Sequence, residues 1–127
     1  LNNDRHATET NQNVSLRPRV RLQLGDEVAL GPGKAELLLL IEETGSISAA
    51  ARRMGMSYRR AWLLVETMNR CFASPLVETA QGGKGGGGAG VSELGRRVLV
   101  LYQQMEANLA LCDEMTELSD MVIQSVS

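Results

Sequence analysis

Residues 45–75 read GSISAAARRMGMSYRRAWLLVETMNRCFASP, and the order of small, basic and apolar letters in this run sets the expected architecture. Ser46 stands where its hydroxyl can cap the free amides of a short helix, and the alanines behind it permit close packing. Gly55 breaks that helix and supplies a tight turn. Ser57 then caps a second helix, from Tyr58 to about Phe72, which Ser74-Pro75 stops. A short helix, a glycine turn and a second capped helix make a helix-turn-helix, with Ala50 and Ala51 lying against the second helix. An ordinary helical hairpin has the same outline. What separates the two is charge: between residues 45 and 70, Arg52, Arg53, Arg59, Arg60 and Arg70 face Glu66 alone.

Unrolled at ~100° per residue, the second helix puts Ala61, Leu64, Val65 and Met68 on a core side and Arg59, Leu63, Glu66 and Arg70 roughly opposite. Arg59 is therefore the candidate for reaching a base edge. Tyr58 and Trp62 lie on one flank and Arg60 on the other, where they can pack, meet phosphates, or both; for Trp62 packing is the favoured reading. Arg59 and Arg60 occupy the first helical turn, where the macrodipole penalises a cation by ~0.3–1 kcal/mol. Local stability does not select them there. Phosphates at that helix end would offset the penalty, and a guanidinium fork can also pair with guanine in a major groove.

Before this unit, Arg19 to Leu24 alternates, with Val20, Leu22 and Leu24 on the side expected to be buried, Gly25-Asp26 as a turn and Val28 to Leu30 as a short return strand. Lys34 to Thr44 is a leucine-rich, buried helix stopped by Gly45. After it, Leu76 to Thr79 predicts a strand, and seven of the chain's thirteen glycines fall within residues 81–90. Gly83, Gly85 and Gly88 satisfy G-x-G-x-x-G only trivially, and neither a βαβ unit nor a G-K-[ST] follows. The segment is a flexible linker or the tip of a strand-loop-strand wing, with Lys84 placed to neutralise a phosphate.

Ser92 caps a last helix, on which Leu94, Val98, Leu101, Met105, Cys112 and Met115 follow a seam of heptad type interrupted at Asn108. Paired with a second copy, this helix would present two recognition helices to a two-fold DNA site. Alternatively it is an amphipathic helix covering its own domain, with Leu99, Leu109 and Leu111 broadening the stripe. Residues 98–127 carry five acids and no base, so the far end of this helix should point away from phosphate.

The 127 residues have room for one domain and a tail. The expected division is a disordered leader over 1–15, a winged helix-turn-helix over 16–91, a linker and dimerisation helix over 92–120 and a tail over 121–127. The single His6, with Cys71 and Cys112 41 positions apart, gives neither a zinc spacing nor a backed nucleophile-base pair, so no metal and no catalytic residue is expected. No apolar run nears the ~20 residues that span a bilayer. A soluble, cytoplasmic protein without a membrane role is expected.

Gly45-Ser-Ile-Ser-Ala-Ala-Ala, Gly55-Met-Ser-Tyr-Arg-Arg-Ala-Trp62, Met68-Asn69 and Leu76-Val77-Glu78-Thr79 through Gly82 to Gly88 resemble the N-terminal winged-helix domain of ModE-type molybdate-responsive transcriptional regulators, relatives of the LysR DNA-binding domain. The resemblance covers about residues 19–110. It implies a bacterial homodimer bound to a double-stranded operator, with Ser57, Tyr58 and Arg59 in the recognition helix, Lys84 in the wing, and Leu94 to Met115 in a dimerising helix. Full-length relatives carry oxyanion-binding domains after that helix; this chain stops at Ser127, so no cofactor is expected in it and a molybdate response rests on the resemblance alone. The expected fold is mainly α with a small β-hairpin wing, and the expected function is a repressor of molybdate-uptake or molybdenum-related genes. Phosphate contacts are expected from Arg52, Arg53, Arg60 and Lys84, and sequence choice from Ser57, Tyr58 and Arg59. Two readings from other classes stay open: an interaction module pairing through the last helix without DNA, and a small enzyme or carrier holding a nucleotide on the glycine loop.

Overall fold

The computed structural model describes residues 14–80 and 88–122. In chain order these form β1 (Leu22–Leu24), β2 (Glu27–Leu30), α1 (Pro32–Thr44), α2 (Ile47–Met54), α3 (Tyr58–Cys71), β3 (Val77–Thr79), β4 (Ala89–Val91), α4 (Glu93–Ala110) and α5 (Asp113–Met121). The result is mainly helical, with two antiparallel two-stranded ribbons, β1-β2 and β3-β4. It is the winged helix-turn-helix expected from the run at 45–75, with a long helix behind it.

The helix boundaries follow the capping chemistry. Ser46 Oγ accepts the Ala49 amide at 3.0 Å, Ser57 Oγ accepts that of Arg60 at 3.1 Å, and Ser92 Oγ accepts that of Gly95 at 3.0 Å. Between α2 and α3, Gly55 adopts φ +72°, a conformation that costs glycine nothing and an L side chain strain. Pro32 opens α1, where its fixed φ suits a first turn and its missing N–H is not needed.

Residues 19–104 form one compact unit, whose core is aliphatic: Leu30, Leu37, Leu38, Ile41, Met68 and Leu76 are fully buried. Each such side chain contributes ~1.5–3 kcal/mol on leaving water. Ala50 and Ala51, both buried, let α2 approach α3 closely. Residues 105–122 belong to a second unit, in which α5 buries none of its residues. Among the described residues no helix is long and apolar enough to cross a membrane.

The first ribbon departs from expectation. The strand is three residues, not the six from Arg19 to Leu24, and its leucines do not face a core: Leu22 is 44% and Leu24 58% exposed. The ribbon is anchored through β2, where Ala29 and Leu30 are buried and which packs on α1 and α3. A register shift between Leu22 and Gln23 interrupts the pairing with β2, which resumes at Leu22 with Leu30, and no core covers the face that Leu22 and Leu24 were expected to bury.

Candidate nucleic-acid interface

α3 buries Ala61, Val65 and Met68, half-buries Leu64, and turns Arg59, Arg60, Trp62, Leu63, Glu66 and Arg70 outward. Arg59 and Arg60 sit in its first turn, and neither makes an ion pair among the described residues. Ser57 is exposed beside them, its Oγ engaged by the Arg60 amide as the helix cap. Tyr58 is 53% exposed and Trp62 42%. Trp62, expected to pack, is thus more than half covered while keeping an open edge. Instead of filling a core, the indole borders a concavity of about 380 Å³, together with Tyr58, Ser46, Ser48 and Thr79.

The other arginines have local explanations. Arg52 and Arg53 occupy the last turn of α2, where the macrodipole favours cations. Arg53 reaches Glu43 at 3.5 Å, while Arg52 has no ion pair among the described residues. Arg70 is engaged by Glu27 of β2, closing the far end of α3. Its guanidinium, chiefly through this hydrogen bond, holds the Glu27 carboxyl below the usual carboxylate range. Arg96 of α4 pairs with Glu42 at 3.0 Å. Within the helix-turn-helix, the cations without an ion pair among the described residues are therefore Arg52 at the end of α2 and Arg59 and Arg60 at the entrance of α3.

The wing ribbon is tied to this unit from both sides. β3 and β4 pair Val77 with Val91, Glu78 with Gly90 and Thr79 with Ala89. The Ala89 amide donates to Gly45 O at 3.0 Å, fastening β4 to the corner between α1 and α2. Asn69, in the last turn of α3, fastens β3: its Oδ1 accepts the amides of Leu76 (2.8 Å) and Val77 (3.1 Å), and its Nδ2 donates to Val77 O (3.0 Å). This three-bond clamp was not anticipated as a role for Asn69. The available signal was a polar residue directly after the buried Met68 and shortly before a proline-led strand. Lys84 and the glycine tip, residues 81–87, lie outside the described residues.

α4 approaches the ribbon so closely that a Cβ on Gly95 would lie 2.6 Å from Val91 Cγ1 and nearer still to Leu76 O. Its core face is Gly95, Leu99 and Tyr102. Beside that face, Leu94, Val98 and Met105 are half-buried, and Leu101 and Asn108 are exposed. The helix ends at Ala110, so the seam does not continue on one helix to Met115. The amides of Leu111 and Cys112 fall back on Asn108 O and Leu109 O, Cys112 is extended, and Asp113 and Glu114 begin α5 with acids in the first turn. That placement suits the macrodipole and favours a fresh start over continuation. Cys112 consequently lies between helices, and Met115 lies on α5.

The class is a winged helix-turn-helix whose second helix, α3, opens on two arginines without an ion pair among the described residues. No family model matches the chain. It is nonetheless homologous to ModE regulators and Mop proteins. Over 81 residues it is 46% identical to the molybdenum-pterin-binding protein MopB of Rhodobacter capsulatus, covering 64% of this chain and 30% of that protein. Over 81 residues it is 42% identical to the DNA-binding transcriptional dual regulator ModE of Escherichia coli K12, covering 64% and 31% respectively. With the molybdenum transport protein ModE of Azotobacter vinelandii the identity is 39% over 95 residues, or 73% of this chain and 35% of that protein. The chain spans about a third of the length of these relatives. None of their names denotes an enzyme.

Proposed function

We propose that this chain binds duplex DNA as the winged helix-turn-helix part of a homodimeric, molybdate-related transcriptional repressor. The observation carrying the reading is the pair Arg59 and Arg60: exposed cations in the first turn of α3, without a carboxylate partner among the described residues. Phosphate groups are the anions that such a helix entrance accommodates. Ser57, Tyr58 and Arg59 supply base contacts; Arg52, Arg53, Arg60, Trp62 and Lys84 hold the backbone. Arg53 gives up its contact with Glu43 to do so. Leu94, Val98, Leu101, Met105 and Asn108 form the pairing face, with Cys112 and Met115 beyond the helix end. The stripe lies apart from the core face at Leu99 and Tyr102 and leaves Leu101 exposed between the half-buried Val98 and Met105, which supports that role. It equally favours the second reading, a module that pairs without touching DNA.

Arg59→Ala tests the choice. Titrated at fixed salt against duplexes from molybdate-uptake promoters and single-base variants of them, it should lose ~1–3 kcal/mol of discrimination at one or two positions. Equal loss on every duplex would reduce Arg59 to a phosphate contact. No duplex binding by the unaltered chain, with the dimer intact, would favour the second reading.

A further inference from the structure

A second concentration of positive charge lies off the reading face and was not foreseen as a site. Arg19 and Arg21 lie just before the first ribbon, Lys34 belongs to the first turn of α1, and Arg60 comes from α3. These four side chains line one concavity of about 410 Å³, floored by Gly31, Pro32 and Gly33 and walled by apolar groups such as Met56 and Leu64. Four cations line it and, among the described residues, no carboxylate does.

The arrangement is built rather than incidental. Tyr102, buried on α4, donates its hydroxyl to Val20 O at 2.6 Å, fixing the backbone between Arg19 and Arg21. The Arg21 stem crosses directly over Gly31, where an added Cβ would lie 3.3 Å from Arg21 Cγ and 3.6 Å from Val28 Cγ1. Lys34 is half-buried, and its ammonium is pushed below the usual lysine range, first by that burial. Cys71 and Glu27 oppose the shift, whereas Arg21 and Arg60 add to it. Glu27, the acid felt there, is already engaged by Arg70 and by the Cys71 thiol at 3.6 Å. Converging cations that destabilise one another are relieved by an anion placed among them.

We propose that the concavity formed by Arg19, Arg21, Lys34 and Arg60 binds a phosphate-type tetrahedral oxyanion. Because Arg60 also stands at the entrance of α3, the favoured source is a duplex backbone phosphate flanking the bases read by that helix; this assignment of source rests on the DNA-binding reading above. The chain would then hold DNA from three separate segments, and register on the operator would depend on the first ribbon as well as on the helix-turn-helix.

The test uses the full chain and Arg21→Gln, Lys34→Gln and Lys34→Arg, each checked for an unchanged circular dichroism spectrum. Binding to a duplex of arbitrary sequence is measured against salt, and inorganic phosphate is titrated separately while the amide resonances of Gly31 and Gly33 are followed. If the duplex supplies the anion, each Gln variant lowers the slope of log affinity against log salt by ~0.9, so that going from 50 to 200 mM salt weakens binding about 3.5-fold less than in the unaltered chain. Lys34→Arg keeps the slope. If a free ion is the ligand, slopes stay unchanged while phosphate shifts both glycine amides saturably, and Lys34→Gln abolishes that shift. Unchanged slopes together with no saturable phosphate shift overturn the proposal. Should the unaltered chain bind no duplex at any salt, the DNA-binding reading fails, and the phosphate titration decides the concavity by itself.

Discussion

Asn69→Ala should be the most costly single change at the junction between α3 and the wing ribbon. The side chain ends three hydrogen bonds, to the amides of Leu76 and Val77 and to the Val77 carbonyl, and both of those residues are buried. Alanine removes the partner of two amides and a carbonyl. An unsatisfied buried amide costs ~1–3 kcal/mol, and because Asn69 is only half-buried water can reach part of the vacated site, so the total loss is about 2–4 kcal/mol, below the simple sum. Against a domain stability of ~5–15 kcal/mol, the variant should still fold. Urea denaturation should place its midpoint ~1–2 M lower, given slopes of ~1–3 kcal/mol per molar for small domains. Native-state hydrogen exchange gives the sharper reading, because the amides of Leu76 and Val77 should lose protection while those in the middle of α1 keep theirs. A loss below ~0.5 kcal/mol, or unchanged protection at both amides, would show that the clamp does not hold β3 to α3.

Two further outcomes follow from the same contacts. Gly95→Ala improves helix propensity by ~1 kcal/mol but drives a Cβ into Leu76 O and Val91, and overpacking of ~1–3 kcal/mol should prevail; a melting temperature equal to or above that of the unaltered protein would refute the close approach. Arg70→Ala should destabilise the protein at neutral pH and not in acid. The folded Glu27 carboxyl is depressed chiefly by the Arg70 hydrogen bond, so the pair's contribution is present above the unfolded carboxylate range and lost as pH falls through the folded value. Denaturation of both proteins at neutral and acid pH checks the sign, and a gap that does not narrow on acidification contradicts it.

What was legible in the sequence is what local chemistry determines. Ser46, Ser57 and Ser92 cap because the hydroxyl and the amide it serves are three residues apart, and a reader of letters sees both. The core face of α3 followed from helical spacing, since Ala61, Val65 and Met68 lie on one stripe whatever they pack against. Tertiary pairings were not legible. Tyr102 meets Val20 across 82 positions, and nothing in either neighbourhood announces the other. Lys34 read as the polar start of a leucine-rich helix, yet the fold carries it beside Arg21 and Arg60. Alternation misled at Leu22 and Leu24 because period two states that a strand has two faces, not that anything covers one of them.

The entrances of α3 and α5 make the case for an external anion without appeal to the relatives. Both helices begin with two consecutive charged residues in their first turn. At α5 these are Asp113 and Glu114, the sign that the exposed amides of a helix start attract, so intrachain stability accounts for them. At α3 they are Arg59 and Arg60, the disfavoured sign, and each costs the helix ~0.3–1 kcal/mol. Arg52 and Arg53 at the end of α2, and Arg70 at the end of α3, stand where the dipole favours cations, so the chain does not scatter its arginines without regard to this field. Neither member of the misplaced pair meets a carboxylate among the described residues, whereas Arg53 and Arg70, at favourable helix ends, each do. An intrachain role would require some acid to meet Arg59 or Arg60, and α3 itself offers only Glu66, most of two turns further on. We read this as a place for a polyanion laid across the start of α3, where both guanidinium groups are exposed and meet no carboxylate among the described residues.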